Sequence, residues 1–176
     1  SANRFGHVSP TTAQAVQEEL GEYLDSTDFI LDGGPSSVGV ESTIIDCTSG
    51  APRILRPGAI TDEMIETSTG LKVSNAVSDI RVSGSLENHY SPEATVSLNR
   101  IPESGEGFIA LSEQQTPTGV IRLASPNSVE EFARLMYSAL RDADAKGVKS
   151  VVVIEPIGDG LALAIRDRLM RASKGR

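Results

Sequence analysis

Tryptophan is absent from the 176 residues, aromatic side chains make up 4% of them, and there are one cysteine and two histidines. A lone Cys47 excludes an internal disulfide and suits a reducing compartment, for which the cytoplasm is the expectation. His7 and His89 lie outside any ligand-spaced cluster, so a dedicated metal site has little to build on. No apolar run approaches the ~18 residues that span a bilayer, and no membrane association is expected. A basic surplus is missing as well. The formal net charge is −8, without the Lys/Arg stripe that generic nucleic-acid binding needs, so autonomous RNA binding is expected to be weak or nil. The shortage is local: residues 1–94 hold 5 Lys+Arg against 14 Asp+Glu, whereas residues 95–176 hold 11 against 10. An anion bound in the first half must be held by a few placed groups.

What remains is ordinary for a folded protein, with 39% hydrophobic and 23% charged residues. Ser9-Pro10-Thr11-Thr12 reads as a hydroxyl cap with proline at the first helical position, and Ala13, Val16, Leu20 and Leu24 continue at helical spacing. Phe29-Ile30-Leu31 reads as a short strand stopped by Asp32-Gly33-Gly34-Pro35. Residues 38–47 read as β with a polar interruption at Glu41-Ser42, which would make Cys47 a small buried strand residue. Arg53-Ile54-Leu55 is a further strand, and a short helix should begin near Thr61. Residues 74–93 lose periodicity and read as a linker, although Leu86, His89 and Tyr90 are more than a solvated spacer needs. Beyond it, residues 95–98, 108–111 and 120–123 read as strands. Ser128-Val129-Glu130-Glu131 is a capping box before the stripe Val129, Phe132, Leu135, Met136, Leu140, Ala143, and Gly147 closes the helix. Val151-Val152-Val153-Ile154 has the continuous apolar character of a buried parallel strand, and a last helix turns Leu161, Ile165 and Leu169 inward. The class is α/β.

Several places could carry chemistry. Ser1-Ala2-Asn3 and Ser9-Pro10-Thr11-Thr12 put hydroxyls and an amide around a helix N-terminus, a natural anion site; plain capping by Ser9 or Thr11 uses the same residues. Glu41-Ser42-Thr43, flanked by Gly33, Gly34 and Gly39, reads either as a ligand-facing strand with Glu41 as a base or as an exposed polar face. Arg56, at a strand end before Pro57-Gly58, can fork onto phosphate or carboxylate, or simply be solvated. Gly158-Asp159-Gly160 reads as a tight turn with Asp159 as helix cap.

In order and spacing, residues 1–12, 30–35, 38–46 and 53–60, with His89-Tyr90-Ser91-Pro92 and residues 160–169, resemble the threonylcarbamoyl-AMP synthase family (the YrdC-like enzymes) in its two-domain form. The resemblance implies the C-terminal part of a twisted α/β sheet domain over residues 1–75. A lid-like linker over 76–94 and a small Rossmann-like domain over 95–176 would follow. It further implies an enzyme making threonylcarbamoyl-AMP and pyrophosphate from L-threonine, bicarbonate and ATP, with magnesium in the full-length protein. A separate transfer machinery then carries the group to tRNA adenosine. By the same resemblance Ser1 and Ser42 hold threonine, while Asn3, Ser9, Thr11, Arg56 and Tyr90 contact ATP, Tyr90 from the lid. The match opens in mid-motif at Ser1-Ala2-Asn3, where the family's Lys- and Arg-bearing phosphate segments would precede. The chain is therefore expected to be a C-terminal fragment, inactive alone, of an active parent. The competing expectation is a non-catalytic α/β module binding a nucleotide or a partner through residues 158–161.

Overall fold

The computed structural model describes residues 2–74, 80, 82–84 and 90–175. Among the described residues there are two sheets, four α-helices and a short 3-10 turn at Gly21–Tyr23. A two-stranded antiparallel ribbon joins β1 (Ile44–Asp46) to β2 (Arg53–Arg56), and a four-stranded sheet holds β3 (Thr95–Leu98), β4 (Gly107–Ile109), β5 (Ile121–Ala124) and β6 (Ser150–Val153) in the order β3-β6-β4-β5. Every pairing in the larger sheet is parallel, with Val96 opposite Val151 and Phe108 opposite Val152. The helices are α1 (Ala13–Leu20), α2 (Asp62–Thr69), α3 (Val129–Ala145) and α4 (Leu161–Ser173).

The central position of β6 explains its sequence. Val151, Val152 and Val153 are all fully buried, because a strand with neighbours on both sides and layers on both faces has no solvated side. Val151 and Val153 face α3 and α4 together with Val96 and Ile109, while Val152 packs with Phe108 and Ala110 on the reverse face. There Arg122 lies over the Phe108 ring at 4.8 Å, and its guanidinium donates to the carbonyls of Ala110, Leu111, Gln114 and Ala124. The loop between β4 and β5 is thereby tied down without a helix. The expected apolar stripe of α3 is present, with Phe132, Met136, Leu140 and Ala143 fully buried. Its cap differs in one bond: Ser128 Oγ accepts from the Glu131 N–H at 3.2 Å, but Glu131 reaches past Ser128 to the Asn127 N–H at 2.7 Å.

Other expectations change. Helix α1 is capped by Thr12, whose Oγ1 accepts from the Ala15 N–H at 3.1 Å; Ser9 spends its hydroxyl elsewhere. Phe29-Ile30-Leu31 is not a strand: Phe29 is 84% and Leu31 92% exposed, and no ladder partner reaches them among the described residues. Strand β1 covers only 44–46, so Cys47 falls beyond its end and is exposed. Helix α4 is capped by Gly160, at φ 58°, and Asp159 contributes only its carbonyl. Helix α2 does begin after Thr61, which caps the Met64 N–H at 3.2 Å.

Because Leu140 is wholly enclosed between helix and sheet, Leu140→Ala should cost about 2–5 kcal/mol in urea unfolding. Ile101→Ala, at an 82% exposed residue, should stay within about 0.5 kcal/mol of the parent. Equal effects would contradict this placement of the core.

Candidate functional site

Residues 2–12 have little regular structure and are shaped by side chains reaching them from elsewhere. Glu19 of α1 is buried, and its carboxylate accepts from the Arg4 N–H at 3.1 Å, Arg4 Nε at 3.0 Å and Arg141 Nη2 at 3.2 Å, with His7 Nδ1 also at 3.2 Å. Arg141, on α3, also donates to the Val8 carbonyl. Burial pushes the Glu19 carboxyl up, but these donors outweigh it and hold the group below the ordinary carboxylate value. Asn3 donates to the carbonyls of Arg4 and His7 at 2.9 and 3.3 Å, whereas its Oδ1 is buried without a partner. A buried amide oxygen left unpaired in a loop is where a ligand's donor can be accepted.

Glu41 is the second such carboxylate. Ser9 Oγ donates to it at 2.6 Å, Tyr137 Oη of α3 at 3.0 Å and Arg168 Nε of α4 at 2.9 Å. Arg168 is 0% exposed. Desolvation opposes charge on Glu41, yet donation from Ser9 and Arg168 leaves its carboxyl below the ordinary value. Desolvation likewise opposes the Arg168 cation, and the facing Tyr137 and Glu41 more than restore it. Both partners are charged, so this is a buried, fully donated ion pair rather than a free base. Glu41 as a proton acceptor is accordingly not supported.

Two glycines set the path of this segment. Gly39, at φ 86°, sits where a Cβ would run into the backbone of Ala133 and Arg134 on α3. At Gly58 a Cβ would meet the backbone of Glu41, Ser42 and Thr43. Residues 39–43 are therefore clasped between α3 and the loop after β2.

Ser42 and Arg56 come together. Arg56 Nε and Nη2 donate to the Ser42 carbonyl at 3.1 and 3.0 Å, and Nη1 donates to the Ser83 carbonyl at 2.9 Å. Carbonyl partners orient a guanidinium without neutralising it. Tyr90 adjoins this group at Gly84, where a Cβ would strike its hydroxyl. It is 1% exposed, at φ 62°, with its ring 5.8 Å from that of Tyr137 and Arg168 5.6 Å above it. Glu41 itself lines a cleft of about 310 Å³ with Ser9, Thr11, Ala2, Ile30, Gly34 and Tyr137. The expected residues thus form two groups, Ser9 with Thr11 at the cleft and Ser42 with Arg56 and Tyr90, joined through the adjoining Glu41. Ser1 and His89 lie outside the described residues, and Asn3 is not among the residues lining the cleft.

Tyr137, Arg168, Arg141 and Glu19 were not singled out by sequence as members of the site. The available signal is clearest at Arg168, a charge beside Ala164, Ile165 and Ala172 on the buried stripe of α4. Among the described residues no group of three or more His, Cys, Asp or Glu could hold a metal ion, so these residues offer magnesium no protein cage. Nor is any helix among them long and apolar enough to cross a membrane.

Residues 60–174 match the family model described as threonylcarbamoyl-AMP synthase, C-terminal domain, and residues 1–58 match one described as telomere recombination. A threonylcarbamoyl-AMP synthase of Pyrococcus abyssi is 35% identical over 98% of this chain and 56% of its own length. One of Bacillus subtilis is 32% identical over 100% and 56%. The crystal structure of P. abyssi Sua5 complexed with L-threonine superposes with a TM-score of 0.79 at 32% identity, covering 99% of this chain and 56% of that one. A variant of that protein with an adjacent His–Tyr pair changed to alanine superposes with a TM-score of 0.75. The chain spans about half the length of the curated relatives it matches.

Since Glu19 and Glu41 titrate below their ordinary value, the stability they contribute is complete above the unfolded-state value of about 4.3. It is lost as pH falls through the lower folded-state value. Near-ultraviolet circular dichroism of the tyrosines should fade below about pH 4, and less steeply with pH in Glu41→Gln. An unchanged acid transition in that variant would contradict the assignment.

Proposed function

Because the chain belongs to the threonylcarbamoyl-AMP synthase family, we propose that it is part of an enzyme making threonylcarbamoyl-AMP from L-threonine, bicarbonate and ATP. Pyrophosphate leaves, and a separate machinery passes the threonylcarbamoyl group to a tRNA adenosine. One observation carries the reading. The Arg56 guanidinium grips the Ser42 carbonyl from two nitrogens, which sets a phosphate-binding cation against a hydroxyl suited to threonine.

In this reading Ser1 and Ser42 hold threonine, while Asn3, Ser9, Thr11, Arg56 and Tyr90 hold ATP. The carbamate oxygen of carboxylated threonine bonds to the α-phosphorus as the bond to the pyrophosphate oxygen breaks. Arg56, oriented by the Ser42 and Ser83 carbonyls, is the cation that stabilises the charge building on the phosphates. Ser42 and Arg56 are held in place before substrate arrives, which is how positioning lowers a barrier without covalent participation. Magnesium, if bound, rides on the ATP phosphates and adds positive charge there. In the same reading a linker over residues 76–94 joins a catalytic part (1–75) to an accessory part (95–176) and brings Tyr90 to ATP, although residues 75–79, 81 and 85–89 lie outside the described residues. The crystallised P. abyssi relative holding L-threonine supports the threonine assignment, and the paired His–Tyr change in the same protein draws attention to this chain's own His89-Tyr90. The excess of acid in residues 1–94 favours small substrates over bound RNA. Cytoplasmic residence suits the exposed thiol of Cys47.

Titrating the chain with L-threonine and a non-hydrolysable ATP analogue, followed by amide chemical shifts, should perturb Ser9, Thr11, Ser42 and Arg56. Arg56→Ala should weaken the nucleotide at least about tenfold, as loss of a charge-assisted contact does. Shifts confined to residues 158–161 would overturn the reading in favour of a nucleotide-binding accessory module.

A further inference from the structure

Arg168 stands on α4, in the part of the chain remote in sequence from every residue assigned to substrate. It nevertheless touches the site from behind at several points. Its Nε holds the Glu41 side chain at 2.9 Å, and its Nη2 approaches the Glu41 main-chain oxygen at 3.5 Å, one residue before Ser42. Through Glu41 it fixes the acceptor of the Ser9 hydroxyl. Its guanidinium covers the Tyr90 ring, which is packed in turn on Tyr137. Tyr137 supplies another donor to Glu41 and lines the same cleft as Ser9 and Thr11.

From these contacts we infer that Arg168 and Tyr137 are positioning residues, by which the parallel-sheet part of the chain sets Ser9, Ser42 and Tyr90 for substrate. The inference rests on the substrate roles proposed above for those three residues. Neither Arg168 nor Tyr137 needs to touch the reacting atoms. Their effect on Ser9 and Ser42 passes through one largely buried carboxylate, whose charge they stabilise, and they reach Tyr90 directly. Remove the Arg168 cation and Glu41 must take a proton or turn toward water. Turning away releases Ser9, protonation weakens the charge-assisted bond it donates, and loss of the Arg168 Nη2 contact frees the backbone beside Ser42. Residues 39–43 lie outside the ribbon, whose pairing begins at Ile44, so no ladder holds them against that loss.

An ordinary core ion pair would also lower stability when cut, so the test must separate position from stability. Four variants of the 176-residue chain serve: Arg168→Met, Arg168→Lys, Tyr137→Phe and, as a control, Ile165→Val. Ile165 is fully buried on the same helix, and its loss of a methyl weakens the core without touching Glu41. Amide hydrogen exchange at residues 9–12 and 40–43 is compared with that of β6, and the affinities for L-threonine and the ATP analogue are measured in parallel.

Arg168→Met should speed exchange at 40–43 at least about tenfold with β6 unchanged and weaken L-threonine by a similar factor, as expected for an orphaned buried carboxylate. Arg168→Lys, which keeps the charge but not the fork, should recover part of both. Tyr137→Phe removes one hydrogen bond and should move both readouts in the same direction by about threefold, which keeps the test alive if Arg168→Met does not fold. Ile165→Val should lower the melting temperature and leave both readouts unmoved. If Ile165→Val and the Arg168 variants, matched for stability, behave alike, the inference is wrong. If the parent chain binds neither ligand, the substrate reading falls, and exchange alone decides whether Arg168 sets residues 9–12 and 40–43.

Discussion

The Glu41 carboxylate is largely withdrawn from water between Ser9, Tyr137 and Arg168, and it stays charged there because all three donate to it. An unpaired carboxylate at that depth would cost several kcal/mol. The packing of three distant stretches of chain is therefore conditional on their meeting at this one group. Glu19 repeats the arrangement on a smaller scale with Arg4 and Arg141, and Asp144 repeats it again by accepting from the Glu93 and Ala94 N–H groups at 2.9 and 3.0 Å. In each case the acid and at least one of its donors lie on opposite sides of the boundary between the preceding segment and α3 or α4.

This arrangement suits a segment with so little secondary structure. Residues 24–43 contain neither helix nor strand, yet they carry the proposed threonine contact. Where ladders are missing, geometry has to come from side chains and from close backbone approach, here at Gly39 and Gly58. Directional contacts of that kind hold atoms in place more narrowly than apolar packing does, which is what substrate positioning demands. The apolar core then has a simpler task, keeping α3 and α4 on the sheet so that Tyr137, Arg141 and Arg168 arrive where they are needed.

Much of the sheet and its helices was legible in sequence because one residue pattern had one physical meaning. Three consecutive valines imply a strand buried on both faces, and a 3.6-residue stripe behind Ser128 implies α3. The failures have a common cause. Phe29-Ile30-Leu31 has the composition of a strand, but a strand needs a neighbour, and composition does not report one. Ser9 looked like a cap, and its hydroxyl is instead taken by Glu41, 32 positions away. Cys47 was expected to be buried because the strand was expected to run one residue further. Within the candidate site, Ser42 and Arg56 could be named from local motif order. Arg168 and Tyr137 could not, because their importance lies in what they touch across about a hundred residues of chain.

The most direct measurement is a double-mutant cycle on Glu41 and Arg168, with Glu41→Gln, Arg168→Met and the pair compared by urea unfolding of the whole chain. If the two side chains act as one buried unit, the single changes should each be costly and the double change should cost less than their sum, with a coupling of about 1–3 kcal/mol. Additivity within about 0.5 kcal/mol would mean that Glu41 and Arg168 are independent, and that something else holds the N-terminal segment in place.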